Sequence, residues 1–308
     1  MPYFGKFNNY FPLFLKSCEK NLDFDWLIFT DCQDKYSYPN NVHRIILTLD
    51  QVKKLAEQKF GFAVCLKSPY KMCDYKPAYG FLFEEYIKEY GYWGHCDCDL
   101  IFGKMAIFLD PLFMEGYDKI FAAGHLTLYK NTPENNRRFM KPLNGHYLYK
   151  KAYTTNDICV FDEDCAGHDN VHSIFLKDGV KVYENDLSMN LSTRYAKFVR
   201  AYYDPAVREF VTENYRKARY YWDHGNILRI EQNGNSVAST SFLYLHLQLR
   251  KMRIGKGLDE IIEILPDRFV ASKKIPETKK ELRIWTIGFP YLYWLDVYIK
   301  RIVRKLTR

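Results

Sequence analysis

The sequence predicts an α/β protein with a mainly parallel sheet covered by helices on both faces. Three observations point there. Short apolar runs alternate with helix-patterned segments. The run Trp26-Leu27-Ile28-Phe29 reads as a buried strand, as in sheets covered on both sides. Asp31, Asp97 and Asp99 all fall at predicted strand ends, where ligands gather in such sheets.

The elements follow in order. Leu13 to Leu22 is patterned as a helix, and Trp26 to Asp31 is a strand that ends in a loop. Val42 to Leu49 is a second strand, and Asp50 opens a polar helix through Gln58. Pro77 suits a first helical turn; Ala78, Phe81, Leu82 and Tyr86 then make one apolar face, to Glu89. Tyr92–Cys96 is a strand, as are Ile120 to Tyr129 and Ile158 to Phe161. Residues 205–222 read as a helix with Pro205 near its start. Asn233-Gly234 marks a hairpin turn between Ile227–Gln232 and the run from Val237.

A chain of 308 residues can hold one large α/β domain with an extension, or two modest domains. Its 26 Tyr and 22 Phe suit either a tyrosine-rich core or a saccharide-binding surface, the core being the commoner use. Eight cysteines are scattered with no C-x-x-C pair, and Met1 to Gly5 has neither a basic end nor an apolar stretch. Reduced thiols in a cytosolic protein are expected. His95, Cys96 and Cys98 make a weak zinc signal, because no second cysteine pair with suitable spacing follows. The net charge of +8 lies wholly in residues 250–308, which carry 15 Lys+Arg against 7 Asp+Glu. A neutral body with a basic tail is not the footprint of a general nucleic-acid binder.

The most informative stretch is Trp93-Gly94-His95-Cys96-Asp97-Cys98-Asp99. On an extended backbone residues i and i+2 point the same way, so Asp97 and Asp99 converge while Cys98 faces away. Converging carboxylates repel unless a proton or cation lies between them. Oxygen ligands suit Mg2+ or Mn2+, which bridge to substrate phosphates. By chance alone, a D-x-D is usually a solvated turn.

Three other groups carry chemistry. From Phe242 to Arg250 the pattern alternates strictly, with Leu243, Leu245, Leu247 and Leu249 on one face of a strand. Tyr244, His246, Gln248 and Arg250 share the other face; the imidazole could complete a metal shell and the guanidinium could grip phosphate. By spacing alone, a solvent-facing strand side is the commoner meaning of such a row. Lys71, Asp74 and Lys76 precede the Pro77 helix, whose N-terminus favours anions; a solvated loop is the plainer reading. Asp162-Glu163-Asp164, with His168 and Asp169 nearby, could supply a general base or form an acidic surface loop.

Together these residues resemble the GT-A glycosyltransferases, in particular a bacterial family of capsular and lipopolysaccharide biosynthesis. The resemblance covers residues 2–253 and rests on an ordered set: Pro2-Tyr3-Phe4-Gly5-Lys6, Phe29-Thr30-Asp31, Tyr70 through Pro77, Trp93 through Asp99, Gly124-His125-Leu126-Thr127 and Tyr244 through Gln248. It implies a Rossmann-like GT-A catalytic domain over 1–255 and a basic amphipathic extension over 256–308. It implies a hexosyltransferase that uses a nucleotide sugar, a UDP-sugar first, with Mn2+ or Mg2+. Asp97, Asp99 and His246 would hold the metal. Tyr3, Phe4, Asp31, Lys71, Asp74, Lys76, Asp97, Gln248 and Arg250 would line the donor site, with Arg250 or Lys251 touching the diphosphate. Glu163, Asp162 and His125 would face the acceptor as catalytic groups.

From Tyr291 to Arg308 the pattern is amphipathic. Lys300, Arg301, Arg304, Lys305 and Arg308 share one helical face, and Tyr291, Trp294, Leu295, Tyr298, Ile302 and Leu306 mark the other. The apolar stretch from Ile284 to Leu295 is shorter than the ~20 residues that span a bilayer. A basic helix of this kind suits an anionic membrane surface, where a lipid-linked acceptor would reside; packing on its own domain is the alternative. The expected protein is therefore cytoplasmic and peripheral on the inner face of the membrane. Its partners would be a nucleotide sugar and a saccharide or lipid-linked acceptor, not nucleic acid. A metal-dependent phosphotransferase or nuclease is the competing enzyme class, and an inactive membrane-associated scaffold the competing non-enzyme class.

Overall fold

The computed structural model describes residues 1–282, apart from 166 and 249, and residues 299, 302, 303, 305 and 306 beyond them. Helix α1 (Phe11–Glu19) buries Phe11, Phe14, Leu15 and Cys18. Strands β1 (Trp26–Thr30) and β2 (Val42–Ile46) pair in parallel, with Trp26 opposite Val42. Pro2 adds a parallel bridge to Phe29. Helix α2 (Leu49–Phe60) starts at a capping box: the Thr48 hydroxyl accepts from the Gln51 N–H, and the Gln51 side chain accepts from the Thr48 N–H. It stops at Gly61, whose φ of 74° is left-handed.

The single helix expected from Pro77 is replaced by a broken winding. Pro69–Lys71, Lys76–Ala78 and Glu84–Tyr86 are 3-10 turns, between which lie α3 (Met72–Tyr75) and α4 (Tyr79–Leu82). Lys71, Met72, Asp74, Tyr75, Pro77, Ala78, Tyr79 and Leu82 are all buried. Packing on several sides, rather than one amphipathic face, sets the path of this segment.

Strands β3 (Tyr92–Cys96) and β4 (Leu100–Phe102) flank Asp97 and Asp99, and α5 (Met105–Met114) follows. The one strand expected from Ile120 to Tyr129 is two, β5 (Lys119–Ile120) and β6 (Leu126–Lys130), which pair antiparallel across a turn. Helices α6 (Pro133–Arg137), α7 (Leu148–Thr154) and α8 (Val171–Lys177) come next. The expected strand Ile158 to Phe161 forms no ladder. Its Cys159 and Phe161 N–H groups donate to the Asp74 carboxylate instead, each at 3.0 Å.

Strands β7 (Val182–Tyr183) and β8 (Met189–Asn190) lead to a β-rich half. The helix expected over 205–222 is absent. That region holds β9 (Ala201–Asp204), β10 (Glu209–Thr212) and β11 (Ala218–Asp223). Aromatic and β-branched residues such as Tyr203, Phe210, Val211 and Tyr221 favour pleated pairing, and Pro205 falls in the tight β9–β10 connection. The expected hairpin is present: β12 (Asn226–Asn233) pairs with β13 (Ser236–Phe242), Asn233 opposite Ser236. Strands β14 (Tyr244–His246), β15 (Arg253–Ile254), β16 (Ile261–Leu265) and β17 (Arg268–Ala271) complete the described strands.

The described strands form five small sheets, ordered β1-β2, β10-β9, β13-β12-β11-β16-β17-β15, β4-β14-β8 and β3-β6-β5-β7. Parallel pairs (β1–β2, β5–β7, β8–β14 and β15–β17) are mixed among antiparallel ones. One continuous, mainly parallel sheet is thus not what these pairings make. Because β16 and β17 join the sheet of β11, the fold runs without a break past residue 255, the expected domain boundary. Several tyrosines build the core: Tyr75, Tyr129, Tyr153, Tyr203 and Tyr221 are fully buried. All eight cysteines are free and none is exposed.

No described helix is long and apolar enough to cross a membrane. Of the tail, Ile299, Ile302, Val303, Lys305 and Leu306 are helical and exposed. Tyr291, Trp294, Leu295, Tyr298, Lys300, Arg301, Arg304 and Arg308 lie outside the described residues, as does Leu249.

Candidate metal centre

Two sheets meet at the Asp97–Asp99 turn. The Asp97 N–H donates to the His125 carbonyl, at the start of β6, and the Leu247 N–H donates to the Asp99 carbonyl, both at 3.1 Å. Strand β14 lies between β4 and β8, with His246 opposite Leu100 on one side and Asn190 on the other. Cys98 packs into an apolar cluster with Phe7, Phe11 and Leu100. The side chains of Asp97, Asp99 and His246 come together, with one ligand atom of each within 4.8 Å of the others.

His246 Nε2 lies 3.3 Å from Asp99 Oδ1, and His246 Nδ1 lies 2.9 Å from Asn190 Oδ1. The ring is buried. Burial opposes its protonation, but Asp99, with Asp97 behind it, outweighs burial and lifts its pKa above the ordinary imidazole value. Two carboxylates and an imidazole whose far nitrogen is already committed are a donor set that fits Mn2+. The row of Tyr244 and His246 is therefore an interior wall, not a solvent-facing strand side.

Lys76 links this cluster to the acidic loop. Its Nζ is 2.8 Å from Asp97 Oδ1 and 3.2 Å from Asp162 Oδ2, and it donates to the Gly124 carbonyl at 2.9 Å. Burial acts to discharge it, yet the two carboxylates hold its pKa well above the lysine value. Asp162 is buried, which raises its pKa to about 7; Lys76 opposes the rise, and Glu163 and Asp97 add to it. Gly124 is needed there, since a Cβ would come within 2.6 Å of Asp162 Oδ2. Its N–H donates to Glu163 Oε2 at 3.2 Å.

His125 is buried against His246, ring centres 4.5 Å apart, with Nδ1 2.7 Å from the Tyr244 hydroxyl and Nε2 buried without a partner. It lies behind the cluster rather than on an open acceptor face. Non-glycine residues in left-handed backbone flank the site: Phe121 (φ 74°), Val160 (φ 53°) and Gln248 (φ 57°). Such conformations persist where surrounding contacts over-determine them.

Lys119 supplies one such contact. Its buried Nζ donates to the Phe121 carbonyl and lies 3.1 Å from His172 Nδ1, whose Nε2 is 2.9 Å from Glu184. Burial lowers the Lys119 pKa to about 7 against the pull of Asp164, Glu184 and Asp162. An unfolded lysine titrates near ~10.4. Between those values the unfolded chain holds the extra proton, so this group makes stability rise with pH across that window. Urea midpoints of Lys119→Met between pH 7 and 10 are expected to rise less steeply than those of the unaltered protein; identical slopes would refute the assignment.

Several expected donor residues have other duties. Lys71 and Asp74 form a buried ion pair of 2.7 Å, and Lys71 also donates to the Asp157 carbonyl. This is neither an anion site nor a solvated loop. The grouping of Cys73, Asp74 and Asp162 is geometrically competent for a metal, but the Asp74 oxygens are already engaged. Arg250 donates to the carbonyls of Tyr195, Ala196, Lys197 and Pro266, and burial lowers its pKa to about 10. Its guanidinium pins a loop instead of reaching a phosphate. Phe4 is buried in the core. Tyr3 lies beside Cys98 and Asp99: burial first, then these neighbours, raise its pKa. Asp31 is exposed and accepts from the Gly5 N–H at 2.7 Å, which shapes the Tyr3–Gly5 loop.

Gln248 donates to Asn190 Oδ1 at 2.8 Å, so it is tied to the far side of the His246 ring rather than to a donor pocket. Asp164 is buried and bound by Arg208, Tyr203 and Asn170, so the acidic loop is not a surface loop; His168 and Asp169 are exposed. Asn190 is the residue that sequence reasoning missed, since nothing in its local pattern distinguishes it.

A family model, "Family of unknown function (DUF6625)", matches residues 1–273. The chain belongs to this family. The match to the DUF6625 model spans every residue of the candidate centre and ends just after β17. No curated protein and no solved structure matches the chain.

Proposed function

We propose that this DUF6625 protein is a divalent-metal-dependent glycosyltransferase of the GT-A type, which moves a sugar from a nucleotide sugar to a saccharide or lipid-linked acceptor. The observation that carries the reading is the gathering of Asp97, Asp99 and His246 from two distant segments into one donor set. Mn2+ held by these residues would supply a counter-charge for the diphosphate that departs as the glycosidic bond breaks. The protein's own groups then have defined tasks. Asp97 and Asp99 orient the cation, and Lys76 adds a fixed ammonium beside Asp97. Asp162, with a pKa near neutrality, can accept a proton from the attacking hydroxyl, and Glu163 stands next to it. Tyr3, beside Asp99, closes the other side of the turn.

The nuclease alternative wants many cations around the acidic pair, whereas the chain's charge excess lies beyond residue 249. The exposed apolar residues Ile299, Ile302, Val303 and Leu306, with the basic residues around them, support a peripheral place on an anionic membrane surface. The test is release of nucleoside diphosphate from UDP-glucose, UDP-galactose, UDP-N-acetylglucosamine and GDP-mannose, with Mn2+ or with a chelator. Metal-dependent release from at least one donor is expected. No release from, and no binding of, any of them with Mn2+ present would overturn the reading.

A further inference from the structure

We infer that Asn190 is a positioning residue for the metal centre, fixing which nitrogen of His246 meets the cation. The inference rests on the metal reading above. Asn190 is buried at the end of β8, in register with His246 on β14. Its Oδ1 is 2.9 Å from His246 Nδ1 and accepts from Gln248 Nε2 at 2.8 Å. With the Gln248 amide nitrogen donating to it, the Asn190 atom that faces both side chains is the acceptor oxygen. An acceptor there requires a proton on His246 Nδ1. In a neutral ring that leaves the lone pair on Nε2, which faces Asp99 at 3.3 Å.

The backbone makes this arrangement stiff. The Leu191 N–H donates to the His246 carbonyl at 3.2 Å, and the Leu247 N–H donates to the Asp99 carbonyl at 3.1 Å. Ring and acceptor are thus carried on two paired strands, and the carboxylate on the turn that leads into β4, the third strand of that sheet. Gln248, which donates to Asn190, lies two residues past β14 in left-handed backbone, at φ 57°. A strand that merely packed would need neither the strained turn nor a shared acceptor at its end.

The experiment is calorimetric titration of the full chain with Mn2+ alone. Asn190→Ala and Asn190→Leu are expected to weaken binding about 10- to 100-fold, the usual effect of removing an outer-shell partner. Asn190→Asp, which keeps an acceptor oxygen in place, is expected to bind within a few-fold of the unaltered protein. Equal affinity in all variants overturns the inference alone, whereas no Mn2+ binding by the unaltered protein overturns the metal centre and this inference together. Should the alanine and leucine variants fail to fold, nitrogen NMR of the unaltered Cd2+-loaded protein decides. A proton on His246 Nδ1 with Nε2 bound to the metal supports the inference, and ligation through Nδ1 refutes it.

Discussion

Asp97→Ala and Asp99→Ala are expected to abolish the rise in melting temperature expected of the unaltered protein with Mn2+ and a nucleoside diphosphate together. A ligand present at a hundredfold excess over its Kd stabilises the native state by about 2.7 kcal/mol. Removing either carboxylate takes away one of three ligand groups and half of the negative charge that makes the site attract a dication. The two variants should differ in the metal-free state. Asp97→Ala leaves the Lys76 ammonium with Asp162 as its remaining carboxylate, so it should lower the metal-free melting temperature. Asp99→Ala removes the carboxylate nearest His246 Nε2 and does not touch Lys76. Thermal shift with Mn2+ alone, with UDP or GDP alone and with both separates these effects. A full ligand-induced rise in both variants would show that the cation is held elsewhere.

Asp74→Ala is the substitution expected to cost the most stability, about 3–5 kcal/mol, as for other buried charges left without a partner. Asp74 is fully buried, and its two oxygens accept from Lys71 and from the Cys159 and Phe161 N–H groups. The alanine variant strands a buried ammonium and two backbone donors at once. Lys71→Met should cost less, because the Asp74 carboxylate keeps both backbone N–H groups. Urea unfolding of the two variants measures the difference. A loss below about 1 kcal/mol for Asp74→Ala, or a larger loss for Lys71→Met, would contradict this account. The Asp74 bonds also hold the run that leads into Asp162, so the pair is structural support for the acidic loop and not a phosphate cradle.

Much of the candidate centre is legible along the chain. The D-x-D places two carboxylates two residues apart, and the alternation from Leu243 onward puts Tyr244 and His246 on one side; Gln248 lies past β14 in left-handed backbone. The second reading depends on the geometry of extended backbone, which a short window contains; the first does not hold in that form, since Asp97 to Asp99 make a turn between β3 and β4. The helix expected over 205–222 does not form because Pro205 lies in a tight turn between strands, and the aromatic residues around it pair across a sheet. Arg250 failed for another reason. Its charge suggested phosphate, but four carbonyls more than fifty residues or some fifteen residues away already take its donors.

By itself the sequence determined the local patterns: which runs are apolar, that a polar helix follows the second strand, and that Tyr244 and His246 share a side of a strand. Only the tertiary structure decided what those sides face. A period of two says that His246 and Tyr244 point together; pairing of β14 between β4 and β8 makes that direction the interior and brings Asp99 and Asn190 to the ring. The reason is that alternation is fixed by bonds between neighbouring residues, whereas burial and hydrogen-bond partners come from segments brought together across the fold.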